Sequence, residues 1–190
     1  MLAALATEIV DDAPQQNAIA LARNDCRMRT PKDASERKAI EDVAKHGWHV
    51  LKVMEDGKGP GFAYTMGLHY SFGHPELILV GLPLDVAHSV LNVAGEAIRL
   101  GEQYSEGVES AAFLEDRLCT FRNVPERQYR NYLGWNVWFY DGETFSALQL
   151  VWADEDGRWP WDAAVDPWVR DNQPVIEDQG DPPWAPSRAG

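Results

Sequence analysis

A chain of 190 residues with 45% apolar and 25% charged side chains has the size of one globular domain with short extensions. It can bury a core without covalent staples. Its formal net charge of −13, from 30 acidic residues against 17 Lys and Arg, repels phosphate backbones and anionic lipid, which argues against nucleic acid and membrane as partners and leaves a small molecule or a basic protein.

Two cysteines, Cys26 and Cys119, are too few for a disulfide framework or a four-cysteine zinc site. Residues 1–14 have no basic leader, and no apolar run approaches the roughly 20 residues that span a bilayer. A cytoplasmic protein is expected, of undetermined oligomeric state.

The organisation expected along the chain is a flexible N-terminal arm over 1–32, a single α+β domain over 33–166, and an extended acidic tail over 167–190. In the arm the apolar residues follow no sustained period. Order begins at Asp33, where a capping acceptor precedes Glu36 by three residues. Ile40, Val43 and Ala44 then share a helical face, and Gly47 can close the helix.

Trp48 to Met54 reads as a strand. Glu55 to Gly61 is dense turn chemistry, and Phe62 to Leu68 is the returning strand of a hairpin. The spaced glycines of that turn lack the Lys-Ser/Thr ending and the following helix of a phosphate loop. Glu76 to Leu82 is a nearly continuous apolar run, hence a buried central strand.

Pro83 and Asp85 open a long amphipathic helix over 84–100, with Val86, Val90, Val93, Ala94, Ala97 and Ile98 as its buried stripe. His88, Asn92 and Arg99 fall on the opposite face, where His88 is read as exposed and idle. Leu118 to Val124 is a strand, Pro125 starts a short helix bearing Tyr129, Tyr132 and Leu133, and Val137–Tyr140 and Ser146–Trp152 supply two more strands around the Asp141-Gly142 turn.

After Ala153 the chain turns rich in Trp, Pro and Asp. Of eight tryptophans five follow Leu150, and six prolines between 160 and 186 forbid long regular elements. The fold class expected is α+β, with a mostly antiparallel sheet or split-barrel-like core, the helix at 84–100 and a Trp/Pro-rich C-terminal tail.

Four blocks stand together in this order: His46-Gly47-Trp48-His49-Val50; Phe62-Ala63-Tyr64-Thr65-Met66-Gly67-Leu68; Gly73-His74-Pro75-Glu76-Leu77 running into Gly81-Leu82-Pro83; and Leu148-Gln149-Leu150-Val151-Trp152-Ala153-Asp154 with Gly157-Arg158-Trp159-Pro160-Trp161-Asp162. Over about residues 40–175 the chain resembles the bacterial family catalogued as domain of unknown function 4262. That resemblance carries no activity with it. The order of elements is also similar to that of flavin-reductase-like split barrels, which implies flavin as a possible cofactor, its phosphate held by a loop and a helix N-terminus.

Candidate ligand-binding residues cluster in these blocks: Tyr64, Thr65, His69, His74, Glu76, Trp152, Asp154, Arg158 and Trp159. His69, His74 and Glu76 are ligand types suited to zinc or iron, but their spacing matches no metal signature, so no metal is expected and His74 is read as bonding a carbonyl beside Pro75. Asp154-Glu155-Asp156-Gly157 resembles the opening of a calcium loop but lacks its distal Glu.

Cys119, inside a strand, is read as a packed and inert thiol. No Gly-x-Ser-x-Gly elbow is present. The late tryptophans either bolt the tail to the sheet or wall a planar ligand. The functional expectation is a small-molecule pocket lined by aromatic residues and histidine, with catalysis left open. The alternative is an acidic interaction module, immunity-like or regulatory, that meets a basic protein.

Overall fold

A computed structural model describes residues 29–56 and 59–177. The expectations for residues 1–28, for Gly57 and Lys58 of the turn, and for 178–190 lie outside the described residues.

Six strands form one sheet: β1 (His49–Val53), β2 (Phe62–Met66), β3 (Glu76–Val80), β4 (Glu109–Leu114), β5 (Arg117–Asn123) and β6 (Ala147–Trp152). Their order is β1-β2-β3-β6-β5-β4. Every pairing is antiparallel except β3 with β6. The sheet is open, with β1 and β4 at its edges. The expected α+β class and the β1–β2 hairpin are present.

β3 and β6 are buried along their whole length, as their continuous apolar runs require of central strands covered on both faces. Alternation along β3 sends Leu77 and Leu79 to one core and Ile78 and Val80 to the other.

Helix α1 (Ala34–His46) begins as its capping chemistry dictates. The Asp33 carboxylate accepts the Glu36 N–H at 2.8 Å, Glu36 accepts the Lys32 N–H at 2.5 Å, and Gly47 closes the helix in the left-handed region at φ 97°. Its buried residues are Ala39, Ile40 and Val43, while Ala44 is exposed. Three elements were not expected from the sequence: the five-residue helix α2 (Leu68–Phe72), the edge strand β4, and a helix over Pro167–Asn172, where the chain was expected to run extended.

The long helix α3 (Leu84–Arg99) falls where expected, but rotated. It buries Ala87, Val90, Leu91, Ala94, Gly95 and Ile98, and leaves Val86 and Val93 exposed. The reason is Trp48, whose indole lies against Gly95 so closely that a Cβ there would come within 2.5 Å of the ring. The Trp48 indole N–H also donates to Asn92 Oδ1 at 3.0 Å. Small residues therefore face the sheet, and the valines that looked like core are turned aside.

A 3-10 turn (Glu126–Gln128) leads into α4 (Tyr129–Tyr132) and α5 (Gly134–Phe139). The expected strand over Val137–Tyr140 is thus helical over most of its length. From Leu133 to Tyr140 the buried positions are Leu133, Asn136, Phe139 and Tyr140, a spacing near 3.6 rather than 2.

Beyond β6 the chain stays on the sheet. α6 (Pro167–Asn172) is capped by Asp166, and Val165, Val169 and Ile176 are buried. The Gln173 amide accepts the Trp152 N–H and donates to the Trp152 carbonyl, both at 2.8 Å. Gln149 holds Pro174 and Ile176 in the same way, at 3.0 and 2.7 Å. These groups fasten the segment. Trp159 and Trp161 instead stack on one another at the surface, 5.6 Å apart, with Trp161 46% exposed.

Candidate functional site

The residues singled out in the sequence occupy separate surroundings. Glu76, fully buried at the start of β3, is the centre of the first. Its carboxylate accepts the Thr65 hydroxyl at 2.6 Å, the Gly67 N–H at 2.8 Å, the His69 N–H at 3.2 Å and the Tyr140 hydroxyl. Burial and the facing Glu76 carboxylate push the Tyr140 phenol far above its ordinary range, so it stays a neutral donor. His69 sets its ring edge-on to Tyr140, and its Nδ1 has no partner among the described residues. Tyr64 is also buried, its hydroxyl accepting the Trp135 N–H at 3.4 Å, and burial pushes that phenol up to about 12.

His74 is buried elsewhere. Its Nδ1–H donates to the Pro75 carbonyl at 2.7 Å and its Nε2 accepts the Tyr104 N–H at 3.0 Å. Both nitrogens are thereby used, and the carbonyl contact is the one read from the sequence. Burial lowers its pKa despite that bond.

Trp152 is a core side chain whose indole N–H donates to the Val80 carbonyl at 3.2 Å. Asp154 organises a tight turn, its carboxylate accepting the N–H groups of Asp156 and Arg158 at 3.0 and 2.8 Å. Burial opposes ionisation there, but the N–H donors of Arg158, Asp166 and Asp156 prevail and lower its pKa. The Arg158 guanidinium pairs with Asp156 at 2.7 Å, and the Trp159 N–H donates to Asp162 at 2.7 Å. Asp154 and Arg158 line a surface cleft with Arg117 and Asp166, apart from the buried Glu76 network. Cys119 is fully buried and its thiol pushed up to about 12 by burial, an inert group as expected.

A different set of residues forms a cleft of about 830 Å³ between α1, β1 and α3. From α1 come Lys38, Asp42, Lys45 and His46, from the start of β1 Trp48 and His49, and from α3 His88, Asn92, Glu96 and Arg99. The spacing explains the two walls. Residues 38, 42 and 45 lie on one face of α1, and 88, 92 and 99 on one face of α3.

The His49 ring nitrogen Nδ1 lies 2.7 Å from Asp42 Oδ2, and Lys38 Nζ reaches the same carboxylate at 2.8 Å. Burial opposes ionisation of Asp42, but its bonds to Lys38 and His49 prevail and lower its pKa. With Nδ1 engaged by Asp42, Nε2 is the remaining ring nitrogen of His49. His88 was expected to be idle. It is half-buried in the cleft wall, and burial, with Lys52 and His49 nearby, lowers its pKa.

Arg99 pairs with Glu96, whereas Lys45 and His46 form no ion pair among the described residues. No group of three or more His, Cys, Asp or Glu side chains is placed to hold a metal ion among those residues. None of the nine residues chosen from the sequence lines this cleft. The signal that could have found it was the pair of polar helix faces, together with His46 and His49 flanking Trp48.

The structure defines an α+β domain on an open six-stranded sheet, with a cation-lined cleft against one edge strand. A family model described as Domain of unknown function (DUF4262) matches residues 42–166, and the chain belongs to that family. The matched span includes every cleft residue named above except Lys38. No curated protein and no solved structure matches the chain. Among the described residues no helix is long and apolar enough to cross a membrane.

Proposed function

We propose that the domain binds a small anionic molecule, a carboxylate or a phosphate ester, in the cleft between α1, β1 and α3. One observation carries the reading. On a chain of net charge −13, counted with neutral imidazoles, this cleft draws together Lys38, Lys45 and Arg99 against only Asp42 and Glu96, with the rings of His46, His49 and His88 beside them. A local reversal of sign inside a walled cleft concentrates the field on an incoming anion. Asp42 and Glu96 neutralise Lys38 and Arg99, which leaves Lys45 and the imidazoles to meet the ligand. Asn92, already holding the Trp48 indole, stiffens the wall, and the Asp42–His49 pair is the group able to exchange a proton with what is bound.

Thermal melts and calorimetric titration with inorganic phosphate, a phosphate monoester and a small dicarboxylate test the proposal. At least one should raise the midpoint and bind saturably, and Lys45→Glu, an exposed change on α1, should remove the effect. No shift with any of the three, or an undiminished shift in Lys45→Glu, would sink the idea.

A further inference from the structure

The ring of His49 restricts how the cleft can hold an anion. Its Nδ1 lies 2.7 Å from Asp42 Oδ2, and the Lys38 ammonium reaches the same oxygen at 2.8 Å. An ionised carboxylate only accepts, so Nδ1 carries the hydrogen of that contact. The side chain lines the cleft and is 22% exposed, so a ligand that bonds this ring does so at Nε2. In the neutral ring Nε2 is then a lone pair, which offers nothing to an oxygen that also only accepts. Only the imidazolium donates from both nitrogens at once. Charge points the same way. With neutral imidazoles, Lys38, Lys45 and Arg99 against Asp42 and Glu96 leave the cleft one positive charge. A dianion reverses that sign, and one proton restores neutrality.

We propose that the cleft binds a dianion together with one proton, and that this proton resides on His49 Nε2, so that the imidazolium bridges Asp42 and the ligand. This rests on the anion-binding reading of the cleft given above. The other titratable groups around the cleft are His46 on α1, His88 on α3, and the Lys52–Asp85 ion pair near His88. Met66, the cross-strand partner of His49 on β2, brings no charge. His88 is the poorer destination for the proton, because burial, with Lys52 and His49 nearby, lowers its pKa against the pull of Asp85. His46 is exposed at the end of α1. A hydrogen phosphate brings the proton with it, whereas a fully ionised dianion draws it from solvent. By linkage, affinity for such a dianion rises on acidification, by at most about tenfold per pH unit for one proton.

Inorganic sulfate is the discriminating probe, since near neutral pH it is a dianion with no proton to give. Calorimetric titration of the full chain with sulfate, in buffers of different ionisation enthalpy, should show proton uptake, and affinity should rise several-fold from about pH 8 to about pH 6.5. His49→Gln should abolish the uptake and flatten the pH dependence, while His46→Gln and His88→Gln keep both. Asp42→Asn keeps an acceptor for Nδ1–H but removes the charge behind it, and should move the pH dependence to lower pH. Ring-nitrogen NMR of the unaltered chain gives a check that needs no variant: with sulfate bound, both His49 nitrogens should be N–H, and a bare Nε2 overturns the proposal. Sulfate binding without proton uptake, or uptake that survives His49→Gln, overturns it and leaves anion binding standing. So does phosphate that binds where sulfate does not, because Nε2 is then accepting a ligand hydroxyl. If neither sulfate nor any of the three anions named above binds, both proposals fall.

Discussion

Glu76 is a carboxylate fully removed from solvent and met by two hydroxyls and two backbone N–H groups. Replacing one oxygen by an amide NH2 turns a donor toward those donors, so Glu76→Gln should cost about 2–4 kcal/mol in denaturant melts with little change in volume. His74 gives a pH dependence whose sign is fixed. Burial lowers its pKa from the ordinary 6.5, so the folded state holds it neutral more firmly than the unfolded state does. Its contribution is complete above pH 6.5 and is lost as pH falls through the folded value. Melts across that range should show stability falling on acidification by at most about 1.4 kcal/mol per pH unit for this one group. His74→Gln should flatten the slope but leave the share due to His88, which is shifted the same way.

At the scale of elements, the contact between β1 and α3 decides how the long helix sits. Gly95→Ala should gain the roughly 1 kcal/mol of helix propensity that Ala holds over Gly. It nevertheless places a Cβ within 2.5 Å of the Trp48 ring. The rigid indole is held by its bond to Asn92, so a net loss of about 1–3 kcal/mol in the melts is expected. A more stable Gly95→Ala chain would show that Trp48 does not set the rotation of α3. The same contact marks where the sequence stopped being legible. The existence and span of α3 followed from periodicity, and so did the burial of Val90, Ala94 and Ile98. Which of two overlapping apolar stripes faces the sheet depends on a tryptophan 47 residues away from Gly95. The misread strand at Val137–Tyr140 has a related origin, because a short apolar run favours strand by composition while its burial spacing is helical.

Over the whole molecule, two polar clamps hold the segment after β6 to the sheet. Gly81 sits so close to α6 that a Cβ there would lie 2.0 Å from the Asn172 carbonyl oxygen. A chain ending at Asp166 loses Val169, Gln173 and Ile176, and strips the Trp152 backbone of its partner amide. We expect it to be less stable than the full chain by about 3–5 kcal/mol, from lost burial and newly unpaired groups. Equal midpoints for the two chains would place the edge of the folding unit at Asp166. Trp161→Ala, by contrast, removes a half-exposed ring stacked on another surface ring and should cost no more than about 1 kcal/mol.

What the sequence determined by itself was local: the caps of α1, the β1–β2 hairpin, the buried runs of β3 and β6, the inert Cys119 and the family to which the chain belongs. The structural features rest on near neighbours or on composition, which periodicity reports, whereas the family rests on the resemblance of four co-linear sequence blocks. The tertiary structure alone decided which polar faces meet. His69, His74 and Glu76 lie within eight residues of one another, yet Glu76 closes one buried network and His74 pins another loop. His49 and His88 lie 39 residues apart and line one cleft. The physical reason is that a side chain's direction is set by its own element, whereas what it faces is set by how α1, β1 and α3 dock, and the size of Gly95 against the indole of Trp48 governs that docking.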